Sequence, residues 1–288
     1  MKHILVDTDM GVDDIIAICL LLTNPNINIK AISIVQCVAD LDRGTKNLAR
    51  ILTFIGKTSI PIFPGFIPPQ PKINFPEIDR RRANNLTLLN NLPLPKTSSP
   101  KIAIKKLTGD LTADTLLCLG PLTNVAKIIK KSCFKKIIIM GGAIFTPGNI
   151  PPDYTKEYNI ALDPLAAKLV FRSKLPITLI ATDTTKQASA RNKFFLQKIQ
   201  AEKPQTPLGK IIQAIILNNS EDFNDFYDPL AAIILMNSKI IIGSRKIDLT
   251  ITSSGQTSGK YSPASRIKLI TNINRQEFYQ ILINSIYY

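Results

Sequence analysis

The chain has 288 residues, of which 45% are hydrophobic, and its 36 Lys and Arg against 21 Asp and Glu give a formal net charge of +15. This length and hydrophobic content predict a globular chain of enzyme size, built as one large α/β domain or as two small ones. Because no run of eighteen apolar residues occurs, we expect neither a membrane span nor a signal peptide.

Cysteine usage and charge distribution indicate the compartment and the partners. The four cysteines lie far apart, mostly in apolar runs and without CxxC spacing, so we expect buried free thiols in a reducing, cytoplasmic compartment. They are Cys19, Cys37, Cys118 and Cys133. The basic residues are scattered, and their densest clusters, at 80–82 and 127–136, lack the aromatic pattern of a single-strand binder. We therefore expect a small-molecule partner, no specific nucleic acid and no membrane.

Short apolar runs alternate with helical patterns along the chain. The predicted strands are 3–7, 29–35, 60–63, 115–119, 136–140 and 177–181. The predicted helices lie near 13–23, 42–56, 121–131, 163–172, 192–202 and 207–218. Such alternation is typical of βαβ units, so we predict an α/β fold with an open, mostly parallel sheet flanked by helices.

A proline-rich stretch interrupts this alternation. Nine prolines fall between Pro61 and Pro100, and the βα rhythm resumes at Asp114 as though the same sheet continued. A long proline-rich insertion in a compact domain is either a linker or a functional lid. We interpret it as a lid around 64–96 in a single domain spanning 1–288, and we expect this lid and residues 218–227 to border the mouth of a pocket.

Four carboxylates fall within eight residues, directly after the first predicted strand. They are Asp7, Asp9, Asp13 and Asp14. In an open α/β sheet, ligands collect beyond the carboxyl ends of the strands, where a strand followed by Gly11 and a helix start places these acids. All-oxygen ligands suit Ca²⁺ or Mg²⁺, whereas zinc favours His or Cys. In a purely structural alternative, Asp13 and Asp14 are stabilised by the positive end of the helix dipole, and Asp7 and Asp9 form the turn.

Further polar groups follow later strands. LLCLGPLTNVA at 116–126 is a strand, a Gly-Pro turn and a helix start, and IIIMGGA at 137–143 is a strand whose end requires close backbone approach. The polar residues placed near these ends, or at later helix starts, are Thr123, Asn124, Asn149, Glu157, Asn159, Asp163 and Asp228. Each alone could be a helix cap, but together they favour a site that recognises hydroxyl groups.

With DTDMGVDD at 7–14, LGPLTN at 119–124, MGGA at 140–143 and the late Asp228-Pro229 pair, the chain resembles the nucleoside N-ribohydrolases of the inosine-uridine preferring family. The resemblance covers essentially the whole length. It implies an open α/β fold with Ca²⁺ at the base of a ribose pocket, at the C-terminal edge of the strands. The implied reaction hydrolyses the N-glycosidic bond of ribonucleosides to free base and ribose, in a homodimer or homotetramer.

The resemblance also assigns roles by position. It implies that the metal ligands are Asp9, Asp14, Asp228 and the backbone carbonyl of Thr123. It implies that the ribose is contacted by Asp13, Asn149, Glu157 and Asn159, with Met140 lining the pocket. We expect Asp7 to support the turn behind the ligands. Cleavage through an oxocarbenium-like transition state needs an activated water, and Asp9 is our candidate base.

Departures from the family pattern bear on activity and base choice. Val38 stands where the family usually has Asn, although a shift of one or two residues would bring Gln36 or Asp40 there instead. Tyr227 stands where many members have a His that protonates the leaving base, and His3 is the only histidine, which excludes a His-dependent mechanism. An aromatic ring there would stack on a purine, so purine ribosides are favoured, unless Tyr227 is simply a core aromatic.

Two other functional classes remain open at this point. The first is a degenerate nucleoside- or ribose-binding homologue without catalysis, suggested by Val38 and the missing His. The second is a phosphatase of the haloacid-dehalogenase type, because Asp7-Thr8-Asp9 after a strand resembles the nucleophile and acid pair of that superfamily. The phosphatase is disfavoured because it leaves the LGPLTN segment without a role.

Overall fold

The computed structural model describes residues 1–69, 75–86, 111–219 and 224–288. Parts of the predicted lid, at 70–74 and 87–96, lie outside the described residues, as does 220–223 of the other predicted mouth segment. No helix in the described ranges is long and apolar enough to cross a membrane.

The described residues form one sheet with helices on both faces. The strands are β1 (Lys2–Thr8), β2 (Ile27–Ile34), β3 (Ile62–Pro64), β4 (Thr112–Cys118), β5 (Cys133–Met140), β6 (Ile177–Ile180), β7 (Ile241–Ile251), β8 (Thr257–Tyr261) and β9 (Ile267–Ile273). The helices are α1 (Val12–Thr23), α2 (Leu41–Phe54), α3 (Glu77–Asn84), α4 (Thr123–Ile128), α5 (Tyr158–Ala161), α6 (Pro164–Phe171), α7 (Thr182–Thr185), α8 (Lys193–Ala201), α9 (Pro207–Asn218), α10 (Tyr227–Met236) and α11 (Arg275–Tyr287).

The strand order is β3-β2-β1-β4-β5-β6-β9-β7-β8. Neighbours from β3 to β9 pair in parallel, whereas β7 pairs antiparallel with both β9 and β8. This confirms the prediction of an open, mostly parallel sheet. Since β1, β2, β4 and β5 are adjacent and parallel, the loops after them meet at one edge of the sheet.

Alternation along β1 divides the core between the two faces of the sheet. Ile4 and Val6 pack in a cluster with α1, α9 and α10, while Leu5 packs in a second cluster with α4 and α6. All three side chains are 1% exposed or less. The interior of α1, Ile15–Leu21, is fully buried, as is expected of a helix that is apolar all round.

Two helices begin at the capping residues that the sequence contains. The side chain of Asp163 accepts from the N–H of Ala166 at 3.0 Å, with Pro164 as the first residue of α6. Thr206 caps α9 in the same way, with Pro207 at the first position. A proline there loses no hydrogen bond, because the first helical N–H groups have no intrahelical partner.

The last third of the sheet was not predicted from the sequence. In β7 the exposed run at 244–246 interrupts the apolar pattern. Strands β8 and β9 and helix α11 were not predicted either. The short α3, inside the proline-rich stretch, was also missed. The prediction of four buried thiols is wrong for Cys133, which is exposed, while the other three are buried and free.

Candidate active site

A cavity of about 280 Å³ opens at the carboxyl ends of the central strands. It is lined by nine residues that the sequence analysis assigns to the site: Asp9, Asp13, Asp14, Met140, Asn149, Glu157, Asn159, Tyr227 and Asp228. The other described lining residues are Gly11, Val12, Val38, Phe75, Pro76, Asp79, Leu119, Tyr158 and Asn224. Thr123 and Asp7, which the sequence analysis also assigns to the site, are not among the lining residues.

The turn between β1 and α1 holds two of the clustered acids together. Asp14 is 1% exposed, and its Oδ2 accepts from the backbone N–H of Gly11 at 3.0 Å. Its Oδ1 accepts from the backbone N–H of Asp9 at 3.2 Å and from the hydroxyl of Thr8. Because Asp14 lies in the first turn of α1, these donors and the helix dipole both favour negative charge there.

Met10, within this turn, adopts a backbone conformation that few residues other than glycine take. Its φ is 59°, in the left-handed region, and its side chain is fully buried. Such a conformation costs about 1 kcal/mol or more, so the surrounding packing must hold it. A Cβ on Gly44 of α2 would lie 3.1 Å from the Cβ of Met10, which shows how closely the two backbones approach. The turn that carries the acids is therefore fixed by tertiary packing.

Three carboxylates, two from the start of α1 and one from the start of α10, converge at the cavity floor. Asp13, Asp14 and Asp228 each place an oxygen within 4.8 Å of the others. Asp228 lies in the first turn of α10, so the cluster is complete only when α10 packs against α1. Asp9 is 3% exposed, and its Oδ1 accepts from the backbone N–H of Gly11 at 3.3 Å, the same N–H that donates to Asp14.

Burial dominates the acidity of these groups. It raises the pKa of Asp9 to about 6 and that of Asp13 to about 7. It also raises the pKa values of Asp14 and Asp228 well above the ordinary range, and the negative charges of neighbouring acids raise them further. Without a cation, the floor therefore retains protons near neutral pH.

Asp7 lies behind the floor, fully buried. Its Oδ1 accepts from the hydroxyl of Ser33 on β2 and from the side-chain amide of Asn124, the latter at 2.8 Å. Its Oδ2 has no hydrogen-bond partner among the described residues. Burial raises the pKa of Asp7 to about 7, against the lowering effect of the two donors. Asp7 is thus held by the sheet edge, out of reach of a ligand in the cavity.

The floor offers the donors of a hard divalent cation. One oxygen of Asp228 is buried without a partner among the described residues, and the other ionisable groups converging there are also carboxylates. Oxygen donors of this kind suit Ca²⁺ or Mg²⁺. Thr123 opens α4, and its hydroxyl donates to Asp163 at 2.8 Å, which directs this side chain toward the cap of α6.

Glu157 and Asn159 form one wall of the cavity and are fixed by backbone contacts. The carboxylate of Glu157 accepts from the N–H groups of Gly142 and Asn159, at 2.8 and 2.9 Å. The side-chain amide of Asn159 donates to the carbonyl of Leu119 at 2.8 Å. Gly142 has φ of 83°, a conformation in which a side chain would be strained, so glycine permits this approach. Burial raises the pKa of Glu157.

The more exposed lining residues come from two segments, and we define them as the mouth of the cavity. In the first segment, the ring of Phe75 packs against the ring of Tyr158 with centroids 4.2 Å apart, and Pro76 and Asp79 follow in the chain. Asn224 and Tyr227 also line the cavity and come from the segment before α10 and its first residue. The described parts of 64–96 and 218–227 thus contribute lining residues, as the sequence analysis expects. Whether either segment closes over a ligand stays a prediction.

The position after β2 settles one alternative from the sequence. Val38 lines the cavity, whereas Gln36 and Asp40 do not. Asp40 instead accepts from Arg80 at 2.6 Å and from the side-chain amide of Asn84 at 2.9 Å. The alternative in which Asp40 contacts the ribose is therefore wrong, because its carboxylate anchors α3 beside α2.

Several lining residues were not predicted from the sequence. Tyr158 lies in the Glu-Tyr-Asn segment between two predicted site residues, and this position was the feature that could have identified it. Phe75 and Asp79 lie in the proline-rich stretch, where no periodic pattern marks a wall. Asn224 gave no local signal. These residues reach the cavity through long-range contacts that a single sequence does not display.

We predict that the metal-free protein loses stability as pH rises from about 4 towards 7. Asp9 and Asp13 have folded-state pKa values of about 6 and 7, raised from 3.8. Because the folded state binds more protons than the unfolded state in this window, stability falls as those protons leave. Ca²⁺ favours the charged carboxylates, so it should abolish the fall. Thermal unfolding between pH 5 and 8, with Ca²⁺ or with a chelator, measures this, and identical curves would contradict it.

Comparison with known proteins agrees with this geometry. A sequence model of the inosine-uridine preferring nucleoside hydrolases matches residues 4–280. A pyrimidine-specific ribonucleoside hydrolase of Escherichia coli is 34% identical over 200 residues, 64% of this chain. The match spans only 61% of that relative's length. A protein of the same description from Shewanella is 28% identical, with 99% of this chain and 96% of the relative covered.

Solved structures show the same fold. An inosine-uridine preferring nucleoside hydrolase from Bacillus anthracis matches with a TM-score of 0.80 over 99% of each chain, at 21% identity. At that identity, the likeness shows the fold alone. The family model, by contrast, runs from β1 to α11 and includes every segment that forms the cavity. The chain therefore belongs to the inosine-uridine preferring nucleoside hydrolase family.

Proposed function

We propose that this protein hydrolyses the N-glycosidic bond of ribonucleosides, releasing free base and ribose, and that it requires Ca²⁺. The observation that carries the proposal is the convergence of Asp13, Asp14 and Asp228, with oxygens within 4.8 Å, on the floor of a cavity. Hydroxyl-binding groups line one wall of that cavity, and aromatic rings line its mouth. This arrangement suits a ribose at the floor and a base above it.

The residues that would hold Ca²⁺ are Asp9, Asp14, Asp228 and the carbonyl of Thr123, as family resemblance implies. Asp13 lies in the same cluster as Asp14 and Asp228, but the resemblance assigns it to the ribose. When bound, the ion supplies positive charge that orients hydroxyl oxygens and lowers the pKa of a nearby water. Asp7 supports the floor from behind through its contacts with Ser33 and Asn124.

The wall residues are suited to orient the sugar. Asn149 and Asn159 offer amide groups, while Asp13 and Glu157 offer carboxylate oxygens, and all four line the cavity. The backbone donors to Glu157 fix its carboxylate before a ligand arrives, which reduces the entropy lost on binding. We propose that Asp13 contacts the ribose and that the other three bind its 3′ and 5′ hydroxyls, with Met140 packing against it.

Asp9 is the proposed general base. Burial raises the pKa of Asp9 to about 6 in the metal-free site, so the protein surroundings favour proton uptake by this carboxylate. The bond breaks through a transition state in which positive charge develops on the sugar. The carboxylates around the floor are already in place to stabilise that charge, so little reorganisation is needed when it appears.

The departing base receives no help from a histidine, because none lies among the described lining residues and His3 is at the opposite end of β1. Burial raises the pKa of the Tyr227 hydroxyl, which therefore stays neutral. We propose that its ring stacks on the base. Stacking area is larger for purines, so the ring favours purine ribosides. The relatives from Escherichia coli and Shewanella are described as pyrimidine-specific. A preference for pyrimidine ribosides is therefore the result that would contradict this proposal.

The cavity is suited to neutral substrates despite the charge of +15 on the whole chain. Its described lining contains six acids, Asp9, Asp13, Asp14, Asp79, Glu157 and Asp228, and no Lys, Arg or His. A 5′-phosphate would be placed among these acids without a compensating cation from the protein. We therefore infer nucleosides as substrates, and not nucleotides.

The first test measures free ribose released from inosine, guanosine, adenosine, uridine and cytidine, with Ca²⁺ and with a chelator. We expect release with Ca²⁺ and its loss on chelation, because the ion would no longer orient the sugar hydroxyls and the attacking water. Inosine 5′-monophosphate should be a much poorer substrate than inosine for the electrostatic reason above. Higher rates for both pyrimidines than for all purines would contradict the purine preference.

A degenerate binding protein is the second candidate, since Val38 brings an apolar side chain into the cavity where the family usually has Asn. Binding of nucleosides without any ribose release would favour it. The phosphatase alternative is disfavoured further, because its nucleophile would be Asp7, which is buried, held by two side chains and absent from the cavity lining. We retain a homodimer or homotetramer and a cytoplasmic location as proposals from resemblance and cysteine usage.

Replacing the proposed base tests the chemistry. Asp9→Asn preserves size and one oxygen ligand but removes the proton acceptor, so kcat should fall by ~10²–10⁴-fold while ribose affinity changes much less. Asp42→Asn is a matched control, because Asp42 is an exposed acid on α2 that pairs with Lys46. Steady-state kinetics and calorimetric binding of ribose separate the two effects. Equal losses of kcat and affinity would show that Asp9 only holds the site together.

Replacing Tyr227 tests stacking. Tyr227→Phe should be mild because the ring remains, whereas Tyr227→Ala should lower kcat/KM for purine ribosides by roughly 10–100-fold, from a stacking energy of ~1–3 kcal/mol. Tyr261→Ala is the control, because Tyr261 is half-exposed and outside the cavity lining. If Phe proves as damaging as Ala for purines and pyrimidines alike, Tyr227 acts through its hydroxyl.

A further inference from the structure

Asp79 is the one lining carboxylate that belongs neither to the floor nor to the wall with Glu157, among the described residues. It lies in the first turn of α3 and lines the cavity together with Phe75 and Pro76. Its side chain is 39% exposed and forms an ion pair with Arg82, with Oδ1 and Nη1 3.6 Å apart. Because Asp79 lines the cavity and its side chain is partly exposed, a ligand at this position would meet a carboxylate.

Helix α3 is anchored firmly enough to position a side chain. Arg80 donates to Asp40 at 2.6 Å, and the side-chain amide of Asn84 donates to the same carboxylate at 2.9 Å. On the other side, the amide of Asn47 on α2 donates to the carbonyl of Ala83 at 2.9 Å. These contacts bridge residues about forty positions apart and attach α3 to α2.

The location of Asp79 places it near the base of a bound nucleoside. The floor acids and Glu157 take the sugar in the proposed function, which leaves the mouth for the base. Asp79 is close enough to Tyr158 that its charge, after burial, raises the pKa of the Tyr158 phenol. Tyr158 packs against Phe75 at the mouth, with ring centroids 4.2 Å apart. The carboxylate of Asp79 therefore lies among the groups that form the mouth.

An ionised carboxylate accepts hydrogen bonds and cannot donate them. Cytosine presents an amino group where uracil presents a carbonyl oxygen, and guanine presents a 2-amino group that hypoxanthine lacks. Beside a carboxylate, an amino group forms a charge-assisted hydrogen bond, whereas a carbonyl oxygen is repelled. Each of these pairs of nucleosides has the same ribose and the same ring system. Guanosine and inosine differ only in the amino group, whereas uracil also has an N3–H where cytosine has an acceptor nitrogen, so guanosine against inosine is the stricter comparison.

We propose that Asp79 is a specificity-determining residue that selects ribonucleosides whose base carries an amino group, cytidine over uridine and guanosine over inosine. This inference rests on the proposed function, since it assumes that a nucleoside occupies the cavity with its ribose at the floor. It is independent of the choice between purines and pyrimidines, because each comparison stays within one ring class.

The test measures kcat/KM for cytidine, uridine, guanosine and inosine with Ca²⁺ present. For the natural chain we expect the amino member to be favoured by about 10–100-fold in at least one pair, the value of a hydrogen bond to a charged group. Asp79→Asn should reduce that ratio to about threefold or less, because the amide both accepts and donates. Glu77→Gln is the matched control, since Glu77 lies on the same helix, is 84% exposed and pairs with Arg81.

The outcomes separate this inference from the proposed function. A ratio near one in the natural chain, or a ratio that Asp79→Asn leaves unchanged, overturns the role of Asp79 while hydrolysis stands. If no nucleoside is hydrolysed, calorimetric dissociation constants of the same four nucleosides decide. A preference for the amino members that Asp79→Asn abolishes supports Asp79 in a binding protein. Absence of binding by all four overturns both. Thermal unfolding confirms that each variant is folded.

Discussion

Negative charge buried at the end of β1 is the constraint on which the rest of the site depends. A carboxylate removed from water is costly unless it gains donors, a proton or a cation. Backbone N–H groups of the turn donate hydrogen bonds to Asp14, and the side chains of Ser33 and Asn124 donate to Asp7. Oxygens of Asp7 and Asp228 still have no partner among the described residues. The fold thus leaves uncompensated negative charge at the cavity floor and directly behind it, which a hard cation would neutralise.

The same constraint connects the floor with the proline-rich segment. Asn124 donates to Asp7 at 2.8 Å through its amide nitrogen, while its amide oxygen accepts from the backbone N–H of Phe66 at 2.8 Å. A Cβ on Gly65 would lie 2.2 Å from that oxygen, so glycine is needed for the backbone to approach. The LGPLTN segment, read from sequence as a ligand-bearing turn, therefore also attaches the start of the proline-rich stretch to the sheet edge.

The features that could be predicted from the sequence are those that residues close together in the chain determine. The strand, turn and helix of 2–23 are contiguous, and the acids between them lie where the sheet edge requires, so their convergence could be inferred from residue types alone. The role of Asp40 could not, because it depends on Arg80 and Asn84, forty and forty-four positions away. Phe75 and Asp79 reach the mouth through the same anchoring of α3. Strand β7 was missed because its exposed residues Ser244–Lys246 mask the strand pattern.

The charge of the whole chain and the charge of the cavity have opposite signs, and distance decides which acts on a ligand. The formal net charge is +15, but surface charges are screened over a Debye length of about 8 Å at physiological ionic strength. The oxygens of Asp13, Asp14 and Asp228 lie within 4.8 Å of one another. Asp14 and Asp228 are buried, where screening is weaker. A cation entering the cavity therefore responds mainly to these carboxylates. The basic surface can raise the encounter rate with anions without admitting them, because the described charged residues that line the cavity are all acids.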